Sequence, residues 1–256
     1  MKIALITGAS TGIGLHLARE LARRGWHVAL LARRQELLEQ EVALLAASGQ
    51  VAMALACDVA DAAAVKAAIA QVEQTWGPID LAIANAGLGD PTPLAQMQLA
   101  DAAYIMNVNF MGMLHLFDAV RPSMLARQSG HFVGVASLAG FRGLPQSGVY
   151  SASKAAMQAF LEAARIELLP LGITVSTVNP GFVKTPLTDR NTVKKPFMIS
   201  PERAAVIVAD GLERRAREVN FPEPTATAMR LLRLAPNWLF DAVVGAGARR
   251  LMAPGK

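Results

Sequence analysis

Across the first two-thirds of the chain, short aliphatic runs alternate with longer stretches in which apolar positions recur every three or four residues. The runs at 2–7, 27–32, 51–57, 80–85, 130–136 and 173–179 have strand length and are filled largely with aliphatic side chains. The stretches 14–24, 36–47 and 61–75 carry the helical period, and two longer helices are expected at about 100–127 and 148–169. Gly25, Gly49, Gly77, Gly130 and Gly172 stand near the expected helix ends, where glycine relieves a left-handed cap. Apolar strands separated by amphipathic helices predict an α/β fold, a doubly wound parallel sheet flanked by helices. No repeat or linker interrupts it, so residues 1–256 read as a single domain, with a core over 1–180 and a loop plus C-terminal extension over 181–256.

Beyond Asn179 the alternation weakens. The segment 180–199 is rich in proline and reads as a long loop or short helices, of the kind that often forms lids and binding loops. Ser200, Pro201 and Glu202 signal a new helix start. The tail 229–252 is apolar and basic, is broken at Pro236, and is expected to pack against the domain or a second subunit rather than rest on a membrane.

Composition narrows the function classes. Hydrophobic residues make up 53% and charged residues 18%, so a sizeable core forms. No apolar run reaches the length of a membrane span, and the N-terminus lacks the pattern of a secretory signal, which leads to a cytoplasmic expectation. The net charge of +5 comes from dispersed bases without interleaved aromatics, which argues against nucleic acid. A lone Cys57 excludes an internal disulfide and reads as a core residue. His16, His27, His115 and His131 are scattered, so no metal site is expected.

The segment from Thr7 to Gly14, TGASTGIG, follows the first strand and opens the first helix. Glycine there lets backbone N–H groups meet a pyrophosphate without a side chain in the way. The spacing, G-x-x-x-G-x-G, differs from the common dinucleotide fingerprint. Gly8, Ser10, Thr11, Gly12, Ile13 and Gly14 are the candidate contacts of a Rossmann-type turn. After the second strand, Ala32 stands where an acid would bind the adenosine ribose, and Arg33 and Arg34 follow. Guanidiniums attract a 2′-phosphate, so NADP(H) is expected rather than NAD(H). Asp58 and Val59, after the third strand, are placed to meet the adenine.

With these glycines stand Asn85–Ala86–Gly87, the VNFMG run containing Asn109, Ser137, and Tyr150 four residues before Lys154. In that order they resemble the short-chain dehydrogenase/reductase family over residues 1 to about 190. The resemblance implies a catalytic set of Ser137, Tyr150, Lys154 and Asn109. It assigns Lys154 to the nicotinamide ribose and Asn109 to a water-mediated proton path. It also places Pro180, Gly181, Val183 and Thr185 beside the nicotinamide and pyrophosphate, with Tyr150 and Lys154 touching the cofactor. A homodimer or homotetramer is implied through the two long helices.

Residue chemistry agrees with that assignment. Positions 150 and 154 share a helix face. A tyrosine near pKa 10 is a poor base, and a lysine ammonium together with an oxidised nicotinamide would have to lower it by roughly three units, about 4 kcal/mol. Tyr150 would then exchange a proton with a carbonyl or secondary alcohol while Ser137 holds its oxygen. The family often carries asparagine and serine where Ala84 and Ala136 stand, and some NADP-dependent members place a base where Thr11 stands. Leu138, Phe141, Leu144, Phe197 and Met198 suggest an apolar substrate pocket, walled by 88–94, 138–145 and 186–199. Tyr104 reads as packing. The reading is an NADP(H)-dependent oxidoreductase acting on an apolar carbonyl or alcohol. A catalytically silent dinucleotide sensor and a membrane-associated scaffold on the same fold are the competing classes.

Overall fold

The computed structural model describes residues 1–189, 195 and 197–252, with backbone alone for 246–252. Strands β1 (Ile3–Thr7), β2 (His27–Ala32), β3 (Ala52–Ala56), β4 (Leu81–Ala84), β5 (Gly130–Val135), β6 (Ile173–Pro180) and β7 (Glu218–Phe221) form one sheet in the order β3-β2-β1-β4-β5-β6-β7. Every pairing is parallel. Six of these strands lie within about a residue or two of the runs read from the sequence. The seventh was not anticipated: its four residues, EVNF, bury Val219 and Phe221 and add an edge beside β6.

Strand alternation explains why both faces are covered. In β1, Ile3 and Leu5 face one helical layer while Ala4 and Ile6 face the other. Helices α3 (Ala62–Trp76), α5 (Gly112–Arg127) and α6 (Gly148–Leu168) cover the first face through Val65, Leu116 and Leu161 among others. Helices α1 (Gly12–Arg23), α2 (Gln35–Ala47) and α8 (Pro201–Glu213) cover the second through Leu17, Leu38 and Val208. Asp61 caps α3 by accepting from Ala63 N and Ala64 N, and Ser200 caps α8 by accepting from Arg203 N. The strand order turns back between β1 and β4, which opens a crevice at the carboxyl ends of the strands.

The long helix expected at about 100–127 is divided. Helix α4 (Leu99–Met106) passes into a wider π turn, Asn107–Met111, before α5 continues. The loop at 180–199 contains a single helical turn, α7 (Pro186–Asp189), and Val183 bridges to Ile199; residues 190–194 and 196 lie outside the described residues. The tail forms α9 (Glu223–Leu234) and α10 (Asn237–Met252), separated at Pro236. Ala226 and Met229 of α9 pack on Leu138 and Phe141. Among the described residues, no helix is long and apolar enough to cross a membrane, and no group of His, Cys, Asp and Glu is arranged to hold a metal.

Candidate active site

The crevice at the switch point is a cleft of about 430 Å³. Its floor begins with the glycine turn. Gly8 adopts φ +67°, and a Cβ there would stand 2.7 Å from Ala86 Cα. A Cβ on Gly14 would overlap Asn85 Nδ2 and lie 2.5 Å from the Gly8 carbonyl oxygen. Gly14 is therefore a packing glycine that lets α1 approach Asn85 and Gly8, and it does not line the cleft. Asn85 donates from Nδ2 to Thr7 O at 2.9 Å, and Thr7 Oγ1 accepts from Asn85 N and Ala86 N at 3.0 and 3.1 Å. The buried Thr7 thus joins the ends of β1 and β4, a role its place at the close of an aliphatic run did not reveal.

At the start of α1, Thr11 makes no side-chain cap and no acid occupies the first turn. The end keeps its partial positive charge, and Gly12 and Ile13 face the cleft. Arg34 reaches back over this turn, donating to Ser10 Oγ at 2.9 Å and Thr11 Oγ1 at 3.3 Å. A basic group missing from the turn's own sequence is thereby supplied from beyond β2. Arg33 also lines the cleft and donates to Tyr104 Oη at 2.7 Å. The expectation that Tyr104 serves packing alone is overturned: it is 43% exposed and accepts from Arg33, because α4 turns this face outward. Asp58 and Val59 line the same end, and Asp58 Oδ1 accepts from Ala60 N at 3.0 Å. Cys57 is buried beside them, and desolvation pushes its thiol up to about 11.

At the other end, Ser137, Tyr150 and Lys154 converge on the cleft with Ala86, Gly87, Pro180, Gly181, Val183 and Thr185. Ser137 Oγ accepts from Ala139 N at 3.1 Å and donates to Pro180 O at 3.3 Å, a long bond that is readily exchanged. Lys154 Nζ donates to Val135 O at 2.9 Å and lies 5.8 Å from the Tyr150 ring centre. Burial lowers the Lys154 ammonium to about 7. Burial also raises the Tyr150 phenol above its usual value, and the opposing influence of the neighbouring Ser137 side chain is the smaller effect. In the free protein the phenol thus stays above its usual value, and the lowering expected from two cations would need the oxidised nicotinamide as well as Lys154. The desolvation that opposes the phenolate also drains charge from the lysine that was to stabilise it.

Asn109 stands behind this group, fully buried in the π turn, and does not line the cleft. Its Oδ1 accepts from Leu88 N at 2.7 Å, and its Nδ2 donates to Leu88 O at 2.9 Å and Ser153 Oγ at 2.9 Å. Leu88, Pro186 and Leu187 form the apolar wall. Leu138, Phe141, Leu144, Phe197 and Met198 do not line it. Leu138 and Phe141 are buried under α9, and Phe197 and Met198 are exposed. Thr188 was not singled out from the sequence; its Oγ1 donates to Val183 O at 2.7 Å and fixes the 183–188 turn along the cleft.

The short chain dehydrogenase family model matches residues 2–195, well over half of the chain. The chain belongs to this family. An uncharacterized oxidoreductase of Myxococcus xanthus is 39% identical over 250 residues, covering 98% of this chain and 97% of that protein. An actinorhodin polyketide ketoreductase solved with NADPH superposes with a TM-score of 0.78 at 30% identity, covering 86% of this chain and 94% of that one. A short-chain dehydrogenase/reductase from Burkholderia phymatum, solved with NAD, gives a TM-score of 0.84 at 26% identity over 90% and 92% of the two chains. Members of the family similar to this chain thus take either nicotinamide dinucleotide.

Proposed function

We propose that this chain is an NADP(H)-dependent reductase that interconverts a carbonyl group and a secondary alcohol on an apolar small molecule. The observation that carries the reading is the meeting of Ser137, Tyr150 and Lys154 at one end of a cleft whose other end presents a glycine turn and two arginines. The cleft fits a dinucleotide: Gly8 leaves no Cβ between the turn and Ala86, α1 begins without a side-chain cap, and Arg33 and Arg34 make no ion pair among the described residues. Arg33 and Arg34 would hold the 2′-phosphate. Ser10, Thr11, Gly12 and Ile13 would hold the pyrophosphate, with Asp58 and Val59 at the adenine. Asn85, Ala86, Gly87, Lys154, Pro180, Gly181, Val183 and Thr185 would hold the nicotinamide half. Bound there, the nicotinamide supplies or accepts the hydride that changes the oxidation state of the substrate carbon.

The chain's own residues manage the proton. Tyr150, its pKa raised by burial, carries its proton at neutral pH and is ready to give it to a carbonyl oxygen. Ser137 exchanges its long bond to Pro180 O for one to that same oxygen. In its protonated form Lys154 keeps an ammonium proton beyond those given to Val135 O and Met157 Sδ, and in that form its charge offsets the phenolate left behind. Asn109 is a positioning residue that fixes the Leu88 backbone at the wall. A ketone substrate is supported by the similarity to a polyketide ketoreductase and by the apolar Leu88 and Leu187.

The test is NADPH oxidation by the purified protein against 3-ketoacyl thioesters, simple ketones and aldehydes, with Tyr150→Phe alongside. The expected outcome is turnover of at least one ketone and a loss of roughly 10²–10⁴-fold in kcat in the variant, with NADPH affinity kept. NADPH binding without turnover of any panel member would favour a dinucleotide sensor. Equal turnover by Tyr150→Phe would overturn the assignment of the acid.

A further inference from the structure

Arg33 and Arg34 both stand exposed at the adenosine end of the cleft, yet each side chain is already held. Arg34 is tied to Ser10 and Thr11, and Arg33 to Tyr104. All three partners are neutral hydroxyls. This differs from Arg19 and Arg23 on α1 and Arg24 at its end, which are paired with Glu41, Glu20 and Asp210. A carboxylate partner would cancel the charge of Arg33 and repel a phosphate, whereas a phenol orients the guanidinium and leaves its charge intact.

The Tyr104 oxygen accepts from Arg33 Nη1 at 2.7 Å. A phenol that accepts still has a proton to give, and among the described residues no acceptor takes it. Tyr104 does not itself line the cleft, but Arg33, whose guanidinium it holds, does. The phenol therefore stands beside a guanidinium that lines the cleft and carries an unused O–H.

We infer that Tyr104 is a specificity-determining residue for a phosphorylated adenosine ribose. Its oxygen orients Arg33, and its free proton serves the same phosphate. The residue sits on α4, 71 positions from Arg33 in sequence, and distinguishes a ribose 2′-phosphate from a ribose 2′-hydroxyl without any contact to the reacting atoms. Holding Arg33 before the ligand arrives removes the ordering of a long, flexible side chain from the cost of binding. The inference rests on the NADP(H) reading given above, and its test separates the two.

The experiment is calorimetric measurement of Kd for NADP+, NAD+ and adenosine 2′,5′-bisphosphate on wild type, Tyr104→Phe, Arg33→Ala and the double variant, with thermal melting as a control for folding. Tyr104→Phe keeps the ring and removes only the hydroxyl. It should weaken NADP+ and the bisphosphate by roughly 3- to 10-fold while leaving NAD+ within about 2-fold. In the Arg33→Ala background the same change should have a smaller effect, because its partner is gone. Equal weakening of NADP+ and NAD+, or no change in either, would overturn the role of Tyr104. If wild type does not prefer NADP+ over NAD+, or Arg33→Ala leaves the preference intact, the NADP(H) reading itself fails, whatever Tyr104 does.

Discussion

Lys154 is a cation placed where the protein opposes its charge. Its side chain is buried, and desolvation brings the ammonium from 10.5 down to about 7. Between those values the unfolded chain holds a proton that the folded chain has shed, so this group makes stability rise with pH from about 7 to 10.5. At and below 7 the folded state carries the full cost of a buried charge. Lys154→Met should therefore raise the melting temperature at pH 7 by a few degrees, on the order of 1–3 kcal/mol, and flatten the rise toward pH 10. The same variant should lose ketone reduction. A lower melting temperature, read by calorimetry across pH, would mean that the bond to Val135 O outweighs the desolvation. The four-residue spacing of Tyr150 and Lys154 was legible in the sequence, because a helix face depends only on local period. The direction of their pKa values was not, since burial depends on β5 and β6, which the spacing does not contain.

His131 ties two strands and the turn before a third. Ser176 on β6 donates to Ala216 O at 2.6 Å, so its oxygen accepts from His131 Nε2 on β5 at 2.8 Å. Burial, helped by the charge of Arg215, lowers this imidazole from 6.5 to about 4. As pH falls from 6.5 to 4 the unfolded chain takes up a proton that the folded chain refuses, so stability falls with falling pH through that window. The loss is on the order of 3 kcal/mol, and His131→Gln, which keeps a donor, should remove most of it in urea titrations at pH 7, 5.5 and 4. Strands β1, β2 and β4 were readable because burial on both faces demands nearly uninterrupted apolar runs. Strand β7 was not: Glu218 and Asn220 alternate with Val219 and Phe221, and a four-residue edge leaves little pattern. The π turn at Asn107–Met111 was hidden too, because one inserted residue barely shifts the helical period. The insertion nonetheless coincides with the placement of Asn109 behind Leu88.

At the scale of the whole molecule, the tail reaches the site through a chain of contacts starting at Arg142. That guanidinium donates to Ala235 O and Asn237 Oδ1, both at 3.1 Å, and stacks over the Phe240 ring at 4.2 Å, clasping the joint between α9 and α10. Helix α9 in turn presses Ala226 and Met229 onto Leu138 and Phe141, and Leu138 directly follows Ser137. The sequence pointed this tail to the domain or a second subunit without choosing between them, because Arg142 and Phe240 lie 98 residues apart and neither is unusual alone. Arg142→Ala should loosen the joint, lowering stability by about 1–2 kcal/mol and speeding protease cleavage between α9 and α10. If α9 supports the Ser137 turn, the variant should also raise KM for a ketone more than it lowers kcat. Tyr150, the proposed proton donor, is held by α6, so the proposed proton-transfer step is left in place. Arg142→Lys keeps the cation over Phe240 but loses the forked donors, and should fall between the two. Faster cleavage with unchanged KM would mean that the tail is fastened to the domain without bracing the site.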